Sequence, residues 1–303
     1  MYIVSFTHRA YASFLCAGLY LLFGPLAFAG SATDIQGLYY TGQNSSGGLA
    51  AGGATDAHWS VTYARVNGAN YTGTSTYTGT AYVLSSNYID AAYTANTSSA
   101  QWITAPGAST AATGGTSNVG GDYLPGNGTS GTNSAYYVYR LAFTITGTGS
   151  GTATNNIQIS MTIAADDAYT VYVNPASSPT VNGSGVISAG STTASASGTA
   201  AWSNTSAIKL GNSTASGGTN NAQFVIGTNY IYVVVANTNS KTGTNSSTAL
   251  NPSGLLVYQV GAGMTIDGRV VPEVGTWMPV VVALGLFGWR RFRRRGPPPG
   301  SIG

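Results

Sequence analysis

Asp166 and Asp167 are the only adjacent carboxylates in the chain, and His58 is its only histidine outside the N-terminal apolar segment, with Asp56 two residues before it. Each pair suggests a chemistry. Two carboxylates facing each other across a substrate can hydrolyse a glycosidic bond. Neighbours on an extended chain point to opposite faces, so Asp166 and Asp167 alone make a poor hydrolytic pair. Their hard oxygens, with backbone carbonyls completing the shell, suit calcium, so Asp166 or Asp167 is a candidate calcium ligand. A turn in which aspartate bonds its own backbone explains the same residues without a metal. Asp56 and His58, spaced by two, share a strand face and could hydrogen-bond. A Ser-His-Asp arrangement would need that contact, but no Gly-x-Ser-x-Gly elbow between a strand and a helix supplies its nucleophile. The expectation is therefore no catalytic residue. The alternative is a secreted hydrolase acting on polysaccharide through Asp166, Asp167 and His58.

Aromatic residues offer a second chemistry, because a pyranose lays its C–H groups on a ring face. Tyr123 and Trp202 lie in polar, glycine-rich stretches and are candidate sugar-stacking residues. Trp59 and Trp102 lie in strand-like contexts and are expected in the core. Arg140 falls on the mixed face of a strand, where a nearby carboxylate is its expected partner, since an unpaired buried charge is costly.

Alternation of apolar and polar residues places these side chains on strands. Strands are expected over 34–40, 58–66, 80–84, 101–104, 134–146, 157–163, 169–173 and 255–260. In the 134–146 segment, Tyr137, Tyr139, Leu141, Phe143 and Ile145 share one face. Gln223–Ile226, a Gly227-Thr228-Asn229 turn and Tyr230–Ala236 predict a hairpin, and the near-continuous apolarity of 230–236 predicts a central strand. Long Gly/Ser/Thr/Asn stretches, above all 107–133 and 176–221, read as loops. With no helical periodicity between the ends, the pattern is an all-β sandwich.

Charged residues make up 6% of the 303-residue chain, far below the usual share of about a quarter. Six of its eleven basic residues lie near the ends: Arg9, Arg290, Arg291, Arg293, Arg294 and Arg295. The body keeps five bases against seven acids, a net charge near −2, and its bases do not cluster; no nucleic-acid partner is expected. The single cysteine, Cys16, precedes the body, which therefore has neither disulfide nor thiol. Leu15 stands where a lipidated cysteine needs a small residue.

Residues 1–29 read as a secretory signal peptide: Arg9, an apolar stretch from Ala10 to Phe28, and a small-x-small cleavage site at Ala27 and Ala29. Residues 30–268 form the ectodomain. Residues 269–303 contain a polar motif (271–277), a short apolar segment (278–289) expected as a brief transmembrane helix, and an arginine cluster (290–295) that stays cytoplasmic. An ordinary C-terminal membrane anchor has the same parts.

The order of these parts, with Pro272, Glu273, Gly275, Thr276 and Trp277, resembles the PEP-CTERM sorting signal of exported bacterial proteins. Val274 stands where the second proline of that motif usually sits, and Gly296–Gly303 extends past the arginines. The resemblance implies processing by an exosortase after signal peptidase, a transient stay in the inner membrane, and release to the cell surface among exopolysaccharide. A further set of motifs resembles the jelly-roll, galactose-binding-like domains found in such ectodomains: Asp56-Ala57-His58-Trp59, Trp102-Ile103, Tyr137–Phe143, Ala165-Asp166-Asp167, Val171–Asn174, Gly227-Thr228-Asn229 and Asn251–Leu255. That kinship implies an antiparallel jelly roll, often a sugar-binding one that holds structural calcium. The expectation is a non-enzymatic surface or matrix protein of the biofilm with carbohydrate binding. A self-assembling matrix protein or adhesin using exposed strand edges is a further alternative.

Overall fold

The computed structural model describes residues 30–67, 78–84, 93–105, 134–154, 156–181, 186–190, 194–199, 203–211, 223–238, 254–258, 264–267 and 269–271. Sixteen strands make up the regular structure: β1 (Ser31–Gln36), β2 (Thr55–Asn67), β3 (Gly79–Val83), β4 (Ile103–Thr104), β5 (Ser134–Thr148), β6 (Gly151–Thr152), β7 (Ile157–Ala165) and β8 (Ala168–Val173), then β9 (Thr180–Val181), β10 (Ile187–Ser188), β11 (Ala196–Thr199), β12 (Ser206–Gly211), β13 (Val225–Thr238), β14 (Leu255–Tyr258), β15 (Met264–Ile266) and β16 (Arg269–Val270). The described residues contain no helix. The expected signal helix and transmembrane segment lie outside them.

Fourteen strands form one antiparallel sheet in the order β11-β8-β13-β5-β2-β3-β4-β14-β7-β15-β16, with β1 on β5, β12 on β7 and β6 on β13. The sheet curls so that β7 and β8, far apart in this order, are joined by two residues. This is an all-β fold consistent with a β-sandwich. Alternation decides which face is enclosed. Tyr137, Tyr139, Leu141, Phe143 and Ile145 of β5 join Ile157, Ile159, Met161 and Ile163 of β7, and Ile231, Val233 and Val235 of β13, in one buried core. Trp59 lies in that core. Trp102 is buried in a smaller cluster with Leu84, Ala164 and Leu256 on the outer side of β7 and β14. Both tryptophans are thus packing residues.

The expected hairpin at 223–236 is not formed. Val225–Thr238 is one continuous strand, and Gly227, Thr228 and Asn229 pair with Ile145, Thr144 and Phe143 of β5. Gly227, at φ 109°, takes up the irregularity as only glycine does readily. Buried Asn229 meets the backbone groups the irregularity would strand: Oδ1 accepts from Val225 N at 2.9 Å, and Nδ2 donates to Val225 O and Gly227 O at 2.8 and 2.9 Å. The central position expected for 230–236 holds, since β13 lies between β8 and β5.

The sheet has two poles. β7 starts at Ile157 and ends at Ala165, so its ends are about 26 Å apart at roughly 3.3 Å per residue. Near its first end, Gly30 N donates to Thr152 O at 3.2 Å, and Asp267 N donates to Asn156 O at 2.8 Å. β15 pairs there with Ile157–Ile159, and β16 follows it up to buried Val271. Gly30 and the β15–β16 turn therefore lie at one pole, and β16 turns back from it along β15, so that Val271 is level with Ile159. The sheet runs past 268, the residue at which the ectodomain was expected to close.

Candidate functional site

The opposite pole is organised around the corner between β7 and β8, which is Asp166 and Asp167. Asp166 N donates to Gly254 O at 3.2 Å and Asp167 N to Ala236 O at 2.8 Å, so the corner is bonded to the start of β14 and the end of β13. The peptide between the two aspartates is cis. Asp166 is buried, and its Oδ2 accepts a hydrogen bond from the Tyr93 hydroxyl. Tyr93 in turn meets Trp102 edge-on, with ring centroids 4.9 Å apart at 86°. Trp102 is fixed by its own bond from Nε1 to Thr94 O, 2.7 Å. Asp166 thus braces the 93–102 segment against the corner, while Asp167 is half-buried. The corner offers two carboxylates, and among the described residues no group of three or more His, Cys, Asp or Glu converges.

Register shows what else opens at this pole. Ser134 of β5 pairs with Thr238 of β13 and with Asn67 of β2, and Ala168 pairs with Ala236 and Thr199. Ile103 and Ala165 both pair with Leu255, and Ser206 pairs with Ile163. The connections that leave β2, β4, β11 and β13 therefore start beside the Asp166–Asp167 corner. Tyr123 and Trp202 lie outside the described residues. Their segments, however, are bounded by Ala105 and Ser134, and by Thr199 and Ser206, all at this pole. Of the ligand-binding residues expected from sequence, Asp166 and Asp167 lie at this pole, opposite Gly30. The sorting residues Pro272, Glu273, Gly275, Thr276 and Trp277, the arginines 290, 291 and 293–295, and Ala27 and Ala29 also lie outside the described residues.

The Asp56–His58 pair has a different geometry from the one expected. Asp56 does not face the imidazole. Its Oδ1 accepts from His58 N and Trp59 N, each at 2.8 Å, and its Oδ2 from Gly42 N at 2.6 Å. β2 is irregular between Thr55 and Ser60, which turns the carboxylate back onto its own strand. Burial raises its pKa; the three backbone bonds and His58 oppose that rise without cancelling it. The His58 ring stacks on Tyr39 with centroids 3.4 Å apart at 6°, and its Nε2 lies 2.9 Å from Asn44 O. Both groups hold the 37–54 loop. Gln101 joins them, donating from Nε2 to Gly42 O and Ala50 O. Neither group is placed as an acid–base pair.

Among the described residues Arg140 has no carboxylate partner, and its guanidinium lies 5.4 Å from the Tyr230 ring centroid; Asp90 and Asp122 lie outside the described residues. Sequence reasoning missed Tyr93 and Tyr230. Both contacts depend on which segments the register brings together, and no local spacing encodes that. Comparison with protein-family models, with curated proteins and with solved structures finds no match.

Proposed function

We propose that this chain is an exported, non-enzymatic surface or matrix protein. Its jelly-roll ectodomain engages extracellular polysaccharide through the pole of the Asp166–Asp167 corner. Signal peptidase acts after Ala29. An exosortase acts at the Pro272–Trp277 motif while the 278–289 segment and the arginines hold the chain in the inner membrane. One observation supports this reading: the Asp166–Asp167 corner lies at the pole opposite Gly30 and the β15–β16 turn, and the described residues Ala105, Ser134, Thr199 and Ser206, which flank the Tyr123 and Trp202 segments, lie at the corner's pole.

A weakly charged body rich in hydroxyl and amide groups suits neutral, hydrogen-bonding ligands. The Asp56–His58 contact that a Ser-His-Asp arrangement needs gets no support, because Asp56 accepts from backbone donors. Calcium at Asp167, with Asp166 holding Tyr93, is compatible with this reading and tested with it. The experiment is a glycan array and a pull-down on the exopolysaccharide of the producing cells, with and without chelator. Trp202→Ala and Asp167→Asn should each lower binding at least tenfold, while His58→Ala leaves it unchanged. Unchanged binding in both the Trp202→Ala and Asp167→Asn variants, or turnover of the glycan abolished by Asp167→Asn, would overturn the reading.

A further inference from the structure

The geometry points to a second saccharide subsite at Arg140 and Tyr230, on the outer face of the sheet, selective for sugars that carry a carboxylate. It rests on the polysaccharide-binding reading above and adds the chemical class of ligand. Arg140 sits mid-strand on β5, between fully enclosed Tyr139 and Leu141, and points to the other side of the sheet. A half-buried guanidinium on a central strand loses hydration and needs a partner. Asp166 and Asp56 are engaged elsewhere, and no carboxylate among the described residues pairs with it.

What holds the group is aromatic. Its Cζ lies over Tyr230, and the Tyr230 and Tyr232 rings stand 6.2 Å apart. A cation over a ring face fixes the plane of the guanidinium and leaves its N–H edge for another acceptor. A carboxylate matches that edge with two parallel bonds. The surroundings suit a sugar. Ala142, next along the same face, is small and exposed, and the hydroxyls of Ser60, Thr62 and Thr144 border the patch on half-buried positions. Tyr230 adds a hydroxyl that accepts and donates, and none of its hydrogen bonds to described residues uses that hydroxyl. With a body charge near −2 there is no broad field to attract a polyanion, so selectivity rests on this one contact.

The test uses full-length protein in mild detergent and trisaccharides of galacturonate, glucuronate and mannuronate, each beside its carboxyl-reduced counterpart. At least one uronate should bind tenfold or more tightly than its reduced form. Arg140→Gln should abolish that preference without lowering the melting temperature by more than a few degrees. Arg140→Lys keeps the charge but not the fork, and should lose most of the preference, which carries the test if the glutamine variant misfolds. Equal binding of acid and reduced forms, or a preference that survives both substitutions, overturns the subsite. Glycan binding that falls with Trp202→Ala, with no uronate preference in the unaltered protein, overturns the subsite and leaves the polysaccharide reading standing. Failure of every glycan overturns both.

Discussion

Asp56 spends its carboxylate on the backbone of its own loop. Replacing it by asparagine leaves one acceptor and an NH2 group against three N–H donors, so at least one buried donor loses its partner. The expected cost is about 1–3 kcal/mol in chemical denaturation. The pH dependence follows from the direction of the shift. Because burial raises the folded-state pKa, the folded state binds this proton more tightly than the unfolded one. The group's contribution is full below the ordinary aspartate range and falls as pH rises through the raised value. Asp56→Asn should therefore cost more in acid than at neutral pH; a pH-independent cost would contradict the assignment. Tyr139 presents the reverse case. Its hydroxyl is buried without a hydrogen-bond partner, although Thr104 and Ala105 lie close, and Thr104 Oγ1 donates to Ala105 O instead. Tyr139→Phe should raise stability by about 1 kcal/mol, read as a higher denaturation midpoint at unchanged slope. At this scale the sequence shows which residues are polar and central, but not their partners. Asp56 beside His58 looked like a facing pair because a regular strand was assumed, and the irregularity at 55–60 turns it away.

The long strands were the most legible elements. The odd-numbered residues of β5 alternate into the core, and the near-continuous apolar run of β13 puts Ile231, Val233 and Val235 into the core and Tyr232 and Val234 into the outer cluster. Short strands such as β6, β9, β10 and β16 were not legible, because two residues carry no period. The error at 223–236 is instructive: Gly-Thr-Asn is a fair turn signal, but here glycine and asparagine sustain an irregularity inside a strand. Asn229→Ala should cost about 3 kcal/mol by orphaning three backbone groups, and Thr228→Ala, exposed beside it, less than 0.5 kcal/mol. Equal costs in thermal unfolding would contradict the role given to Asn229. On the outer face, Val181 and Ala189 pack over Val138, Tyr172 and Tyr232, and the Tyr63 hydroxyl donates to Val181 O at 2.7 Å. A polar, glycine-rich stretch read as loop is thus partly a lid over apolar tyrosine surface, and the isolated apolar residues Val181, Ile187 and Ala189 are its only trace in the sequence.

At the scale of the molecule, the sheet has two poles, and the proposed function assigns binding to one of them. One pole carries Gly30, which adjoins the expected leader, and the β15–β16 turn that leads to Val271, the first residue of the expected sorting motif; the other carries the Asp166–Asp167 corner. Composition made an uncharged all-β body legible; the polarity was not, because it depends on pairings between residues more than a hundred positions apart, such as Gly30 with Ala153. The central claim is that both ends are removed and the body goes outside. Intact-mass spectrometry of the protein recovered from the outer surface and medium of the producing cells tests it most directly. The account predicts a chain that begins at Gly30 and ends within the 271–277 motif. A mature chain that retains Arg290 to Arg295 would contradict it.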